Sequence, residues 1–328
     1  MGDLPESPLS AAILTLPVRT PGFNGQVTYV ETASGLPNDD QVFGDIVDVA
    51  PGVDVSVFAS GLRNAYDLVY TTEGRIYATD NGPNAGFGPQ STGPDSEGED
   101  PGTKDEIVLI EPGVYYGHPN RNRGRTDAIQ NVYHGPGAPE VPGVYSKNLF
   151  ELPSSTDGIV EYRAQTFKGS MRGNLLVQTW NGGTRRLEMS ADGRSVVSAQ
   201  QFVSLGSLAL ATGPGGVIFS ANHSGSKVEM LIPNDPTLAE GVTALDITPW
   251  RAPRAAARDF VIAGAGFGSL SDTTVTIGGL PATLTSVTPT RIRGVLPVPA
   301  SLPSDLVDVI VDVGGVQSVL TRAFRFLP

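Results

Sequence analysis

Short runs of alternating apolar and polar residues, separated by turns, dominate the chain. In the clearest of them Val69 and Tyr70 precede the turn at residues 72–74, after which Ile76 and Ala78 resume a period-two alternation. The glycine in such a turn supplies the positive φ that other residues resist. A polar loop at 80–84 follows. The pattern predicts two strands joined by a tight turn, then a loop whose backbone carbonyls face a cation or a ligand.

Turn–strand units of this kind recur along the first two thirds of the chain. Three good units are visible, at 73–110, 157–203 and 207–232. Three or four short strands per unit are typical of a β-propeller blade. The third unit has only three strands, so we expect its fourth strand to come from the N-terminal segment. Residues 1–234 are therefore predicted to form a partial propeller of an all-β protein.

The strand pattern changes after residue 234. Residues 235–241 are predicted to be a linker, and residues 242–328 carry alternating strands with Gly/Pro turns every 10–15 residues. This spacing is typical of a small immunoglobulin-like β-sandwich. The predicted strands lie within 260–268, 274–282, 291–297, 307–313 and 323–326.

Composition narrows the function classes. The 328 residues include 40 Gly, 27 Pro and no Cys, and the formal net charge is −12. The charge argues against nucleic-acid binding, which needs a basic footprint, and the missing cysteines exclude disulfides and thiol chemistry. No apolar run reaches the roughly 18 residues that a membrane span needs. No signal peptide is visible at the N-terminus, and the open ring leads us to expect a fragment of a longer protein.

Four short motifs in order along residues 60–230 resemble the soluble glucose/sorbosone dehydrogenase family. They are Gly-Leu-Arg-Asn at 61–64, Gly-Pro-Asn at 82–84, Asp-Glu-Ile-Val-Leu-Ile at 105–110 and Gly-His-Pro-Asn at 117–120. The family consists of six-bladed propellers, some of which oxidise sugars with pyrroloquinoline quinone (PQQ) and calcium. Further on, Gly-Ala-Gly-Phe-Gly at 264–268 and Ile-Gly-Gly-Leu-Pro-Ala at 277–282 resemble an IPT/TIG domain, an immunoglobulin-like sandwich.

The resemblance implies a cofactor site and a metal site. In quinone-binding members the Arg-Asn of the first motif contacts the cofactor, which makes Arg63 and Asn64 the cofactor-binding candidates. The Gly-Pro carbonyls ligate calcium in those members, so Gly82 and Pro83 are the metal candidates. A hard cation held by backbone oxygens agrees with the chemistry of Ca²⁺.

Several family positions are changed in this chain. The cofactor-binding Lys of the family is replaced by Trp180, and its Arg-x-Arg pair is replaced by Gly206 and Leu208. A quinone with several carboxylates needs such cations. The family's catalytic His lies upstream of the first motif, where this chain has none. The catalytic candidates are therefore His118 and His223, each of which is otherwise explained as a loop side chain.

Two functions from different classes follow. The first is a surface or secreted module, built on a propeller that has lost catalysis, which contacts a sugar, a polysaccharide or a cell-surface protein. The alternative is a PQQ- and calcium-dependent aldose or sorbosone dehydrogenase. By analogy with the family, we expect a bacterial protein at the cell surface or outside the cell.

Overall fold

The computed structural model of the chain describes residues 11–25, 29–31, 47–49, 54–82, 104–114, 116, 148–153, 155–180, 182–239, 241–254, 257–301 and 303–328. Within these residues strands dominate, which confirms the predicted all-β class. The described part of the chain contains no apolar helix of the length that a membrane span requires. The first twelve strands are β1 (Ala12–Thr15), β2 (Tyr29–Glu31), β3 (Val47–Val49), β4 (Ser56–Ser60), β5 (Ala65–Tyr70), β6 (Ile76–Asp80), β7 (Asp105–Ile110), β8 (Phe150–Leu152), β9 (Thr156–Glu161), β10 (Leu175–Thr179), β11 (Gly183–Met189) and β12 (Val196–Val203).

The remaining elements complete the first part of the chain and form the second. The strands are β13 (Leu210–Thr212), β14 (Ile218–Asn222), β15 (Lys227–Leu231), β16 (Thr243–Thr248), β17 (Arg251–Pro253), β18 (Asp259–Ala265), β19 (Thr273–Ile277), β20 (Leu280–Pro281), β21 (Thr283–Thr288), β22 (Arg291–Val295), β23 (Val307–Val313) and β24 (Val316–Leu327). Short 3₁₀ turns lie at Thr166–Gly169, Pro214–Gly216 and Pro236–Ala239.

Three consecutive antiparallel sheets form the propeller part. The strand orders are β5-β6-β7-β8, β9-β10-β11-β12 and β13-β14-β15, so each sheet is built from strands that follow one another in the chain. The first strands of successive sheets, β5, β9 and β13, lie against each other. Sheets that meet along their first strands are the blades of a propeller, in agreement with the sequence prediction.

Apolar side chains fill the space between the first two blades. Tyr77, Ile107, Ile159, Leu175 and Val177 are almost completely buried there in one cluster. The alternation that placed Tyr77 on a strand did not reveal this burial, because strands that pack on both faces lose their polar side.

The N-terminal strand does not complete the third blade. Strand β1 instead pairs antiparallel with β4, as shown by the register of Ile13 with Ala59. Among the described residues the third blade has three strands, so the expectation of a fourth strand from β1 is wrong. Strand pairing depends on long-range contacts that the local sequence does not contain.

The C-terminal part is a two-sheet sandwich. One sheet has the order β16-β18-β22-β21 and the other β17-β24-β23-β19-β20. Phe260, Ile262, Ile292, Val309 and Phe324 fill the space between the sheets and are at most 1% exposed. This is the immunoglobulin-like arrangement that the alternating pattern predicts.

The sandwich is attached to one end of the blades by hydrogen bonds. The Gln165 amide donates to the Leu245 carbonyl over 2.8 Å, and the Arg172 Nη2 donates to the Thr321 carbonyl over 2.6 Å. The amides of Gly215 and Gly216 donate to the Asp246 carboxylate. These propeller groups belong to the turns between the first and second strands of the second and third blades, and the corresponding turn of the first blade accepts from Arg325 through the Thr72 carbonyl.

Candidate functional site

Two groups of polar residues lie at opposite ends of the blade strands. Strand β5 starts next to Asn64 and ends just before the turn that contains Thr72. Strand β9 starts at Thr156, next to Asp157, and ends at Glu161. Six extended residues span roughly 20 Å. The end with Asn64 and Asp157, called here the upper end, contains the residues that the resemblance singles out. The end with Thr72 and Glu161, called here the lower end, faces the sandwich.

Arg63 and Asn64 are held by one buried carboxylate at the upper end. The backbone amides of both residues donate to Asp80, over 3.2 Å from Arg63 and 2.7 Å from Asn64. The Asn64 side-chain amide also donates to Asn81 Oδ1 over 2.8 Å, and the Arg63 guanidinium reaches the Asn81 carbonyl at 3.4 Å. Asp80 therefore fixes the Arg-Asn pair at the start of β5.

Gly82 lies in the adjacent part of the same network. Its amide donates to Asp105 Oδ1 over 2.9 Å, and Asn81 Nδ2 donates both to Asp105 Oδ2 and to the Thr156 carbonyl. Because Asp105 belongs to β7 and Thr156 to β9, this network ties the first blade to the second. The structure thus brings Arg63, Asn64 and Gly82 together, while Pro83 and His118 lie outside the described residues.

Trp180 and His223 form an aromatic pair at the upper ends of the second and third blades. Their ring centroids are 4.9 Å apart, and the rings are tilted by 41°. The Trp180 amide donates to the Ser155 carbonyl over 2.7 Å, and the His223 amide donates to the Ser207 hydroxyl over 2.8 Å. The indole therefore packs against an exposed imidazole.

Uncharged side chains next to Gly206 form a hydrogen-bond network that occupies the space in front of its Cα atom. The buried Gln178 Oε1 accepts from the Thr184 and Ser220 hydroxyls, over 2.8 Å and 3.1 Å. Gly206 has φ +80°, and a Cβ on it would overlap the Ser220 hydroxyl and lie 2.7 Å from Gln178 Oε1. No side chain, and in particular no arginine, fits at this position without moving the network.

Asp157 is a buried carboxylate that the sequence did not reveal as a candidate. It is 2% exposed, its Oδ1 accepts from the Ser155 hydroxyl over 3.1 Å, and its Oδ2 has no hydrogen-bond partner. Burial, followed by repulsion from Asp105, raises its pKa to about 6 against the opposing hydrogen bond from Ser155. The charge of Asp157 also contributes, after burial, to the raised pKa of the half-exposed Tyr66.

Asp157 did not stand out in the sequence, and Trp180 and His223 were named separately without being paired. Asp157 precedes Gly158 at the start of a strand, a position at which an aspartate is usually a solvated turn residue. The family resemblance indicated a substitution at Trp180 and therefore a changed cofactor site, but it did not reveal that Trp180 contacts His223. Across the residues that the structure covers, no group of three His, Cys, Asp or Glu side chains is arranged to bind a metal ion.

Three solved structures illustrate the likeness to known proteins. Two auxiliary nutrient binding proteins, from Bacteroides thetaiotaomicron and Bacteroides ovatus, are 19% and 24% identical; each alignment covers 27% of this chain and 21% of theirs, at a TM-score of 0.23. A PQQ-bound aldose sugar dehydrogenase from Streptomyces coelicolor is 17% identical, with 62% of this chain and 57% of that chain covered at a TM-score of 0.34. The chain thus spans less than two thirds of each of these proteins.

Family comparison covers most of the chain. A search of curated proteins finds no match. Residues 243–326 match the IPT/TIG domain, which corresponds to the sandwich. Residues 22–228, more than half of the chain, match the glucose/sorbosone dehydrogenase family and contain the upper-end network and the blades as far as the start of β15. The chain therefore belongs to the glucose/sorbosone dehydrogenase family and carries a C-terminal IPT/TIG domain.

Proposed function

We propose that this chain is a binding module that contacts carbohydrate through the upper end of a propeller no longer used for sugar oxidation. The observation that carries the proposal is the closed space at Gly206, where Ser220 and Gln178 occupy the volume that a cationic side chain needs. Together with Trp180 in place of lysine and Leu208 in place of the second arginine, it removes three positive charges from the expected quinone site.

The residues at the upper end do not fit a quinone that carries several carboxylates. Asp80, Asp105 and Asp157 are buried there, and Arg63 is the neighbouring cation in the described network. Buried carboxylates repel an anionic cofactor, and repulsion in a poorly solvated site is strong. We therefore derive no oxidation step through PQQ, and calcium binding by the Gly82 carbonyl stays a prediction.

The same residues suit a neutral sugar. A pyranose ring presents C–H groups on its faces and hydroxyls on its rim, so it packs on aromatic rings and donates hydrogen bonds to carboxylates. Trp180 and His223 offer such rings, and Tyr66 is 43% exposed. Aromatic surface with a few converging polar groups is typical of a small-molecule site.

Two binding measurements test the proposal. Isothermal titration with PQQ and CaCl₂ is expected to give no quinone binding, and a dye-linked aldose assay no turnover. Affinity electrophoresis through gels containing soluble polysaccharides is expected to retard the chain in at least one gel. Trp180→Ala should abolish the retardation, whereas Phe219→Ala, which removes an exposed ring from the middle strand of the third blade, should not.

The alternative function makes the opposite prediction. Tight PQQ binding with aldose turnover would identify an active dehydrogenase and overturn the proposal. Retardation that survives Trp180→Ala would show that the aromatic pair is not the sugar contact. The expected location, at the bacterial cell surface or outside the cell, belongs to the same proposal and is tested by cell fractionation with an antibody against the chain.

A further inference from the structure

A cavity of about 520 Å³ lies at the lower end of the blades, between them and the sandwich. Its wall includes Glu161 and Arg163 from the second blade, and Asp246 and Trp250 from the sandwich. Cavities of this volume hold small-molecule ligands in many proteins. The cavity is separated from the upper end by the length of the blade strands, so its function is independent of the proposed sugar contact.

The acidic groups of the cavity already have their partners. Glu161 accepts from the Thr72 amide over 2.8 Å and from the Thr72 hydroxyl over 2.6 Å. Asp246 accepts from the amide of Gly215 over 2.9 Å and from that of Gly216 over 3.3 Å. Both carboxylates thus accept hydrogen bonds from turn residues, and these bonds occupy much of their ability to bind a cation.

Two basic groups of the cavity, Arg163 and Lys168, are in the opposite condition, whereas Arg75, Arg172 and Arg322 donate to other groups. Within the described structure, Arg163 makes one hydrogen bond, a long one of 3.4 Å to the Thr212 hydroxyl, and Lys168 makes none. Arginine carries five N–H donors and lysine three. Arg163 is half-buried, and burial lowers its pKa because the charged form loses solvent. The charges of Glu161 and Asp246 oppose this lowering, and the N–H donors that Arg163 leaves unused are open to an anion at hydrogen-bonding distance.

An apolar surface lies next to these donors. The Arg163 guanidinium is 5.9 Å from the centroid of the Trp250 ring, and Leu175, Met189 and Leu320 also line the cavity. The Trp250 ring is 8% exposed and stacks on Tyr70. We propose that the cavity binds a small organic anion, whose carboxylate or phosphate group is held by Arg163 and Lys168 and whose body packs against the apolar part of the wall. Because the wall comes from both domains, the ligand would join the propeller to the sandwich.

Trp250 provides a direct reporter for this test. The chain has only two tryptophans, and Trp180 is at the opposite end of the blades. In a Trp180→Phe background the fluorescence of Trp250 is followed during titration with sodium phosphate and, separately, sodium citrate, at constant ionic strength. A saturable change with either anion is expected. Since a charge-assisted hydrogen bond is among the strong ones, Arg163→Gln should weaken binding about tenfold or more.

Two further variants separate a site from a general charge effect. Lys168 has φ +56°, which asparagine tolerates, so Lys168→Asn removes the charge with little backbone cost and should also weaken binding. Arg291→Gln removes the same charge from an exposed strand of the sandwich and should leave the affinity unchanged. No saturable response to either anion, or equal weakening by Arg163→Gln and Arg291→Gln in folded protein, would overturn the proposal.

Discussion

At the residue scale, Asp157 makes the stability of the molecule depend on pH. Burial raises its folded-state pKa to about 6 from an ordinary value of 3.8, so the folded state binds more protons than the unfolded state between these values. Stability from this residue is complete below the ordinary pKa and is lost as the pH rises through about 6. At neutral pH the folded protein therefore contains an unfavourable buried charge.

Asp157→Asn should remove the destabilising effect of the buried charge. We expect the variant to be more stable than the parent by roughly 1–2 kcal/mol at pH 8, after allowance for solvent screening, and to lose this advantage at pH 4. Urea unfolding at both pH values measures the difference. Asp192→Asn, at an exposed turn where hydrogen bonds lower the pKa, is the control and should give no gain at pH 8. An equal advantage at both pH values would contradict the assignment.

Gly206 and Gly173 form a matched pair for testing the closed space in the candidate site. Their φ angles are +80° and +82°, but a Cβ on Gly173 meets nothing within 4 Å. Gly173→Ala should cost only the backbone strain of about 1 kcal/mol, whereas Gly206→Ala should cost about 1–3 kcal/mol more because it overlaps Ser220. Chemical denaturation of both variants measures this difference. Equal costs would mean that the Ser220 and Gln178 side chains move aside at little energetic cost.

At the element scale, the turn after β5 is held by a carboxylate from the neighbouring blade. Glu161, at the end of β9, is buried, and burial raises its pKa despite two hydrogen bonds from Thr72. Thr72→Val keeps the shape and the backbone donor but removes the hydroxyl. Because hydrogen bonds to charged groups contribute more than neutral ones, we expect a loss of about 1–3 kcal/mol that grows as the pH rises and Glu161 ionises.

The control for this variant is Thr283→Val, at an exposed position of a sandwich strand. It makes the same chemical change without touching a buried carboxylate, and its effect should be within about 0.5 kcal/mol. Thermal unfolding of both variants at pH 5 and pH 8 provides the comparison. A pH-independent loss in Thr72→Val would indicate that the hydroxyl acts through packing rather than through the charge of Glu161.

Strands were predictable where alternation was strong, and their pairing was not. The predicted strand at 307–313 coincides with β23, and that at 291–297 contains β22, because one face of each strand is buried in the sandwich. The pairing of β1 with β4 was missed, since it is fixed by residues more than 40 positions apart. Likewise, Trp180 was noticed as a substitution, but its stacking on His223 depends on how two blades meet.

At the scale of the whole molecule, the two domains meet through hydrogen bonds, an ion pair between Arg322 and Glu73, and the stacking of Trp250 on Tyr70. Asp246 of the sandwich accepts the amides of Gly215 and Gly216 from the third blade, and burial raises its pKa. The other contacts include the Gln165 amide on the Leu245 carbonyl. Since the sandwich has its own core, the unfolding of the two domains is coupled mainly through this interface.

Asp246→Ala should uncouple them. The substitution leaves two amides in the interface without an acceptor, at a cost of about 1–3 kcal/mol each, while the cores of both domains stay intact. We expect differential scanning calorimetry to resolve two transitions, with the melting temperature of the propeller lowered and that of the sandwich close to its value when expressed alone. Asp259→Ala, at an exposed strand start, should keep the parent profile. If Asp246→Ala lowers a single transition, the sandwich depends on the propeller for its folding; if the profile is unchanged, Asp246 does not couple the domains.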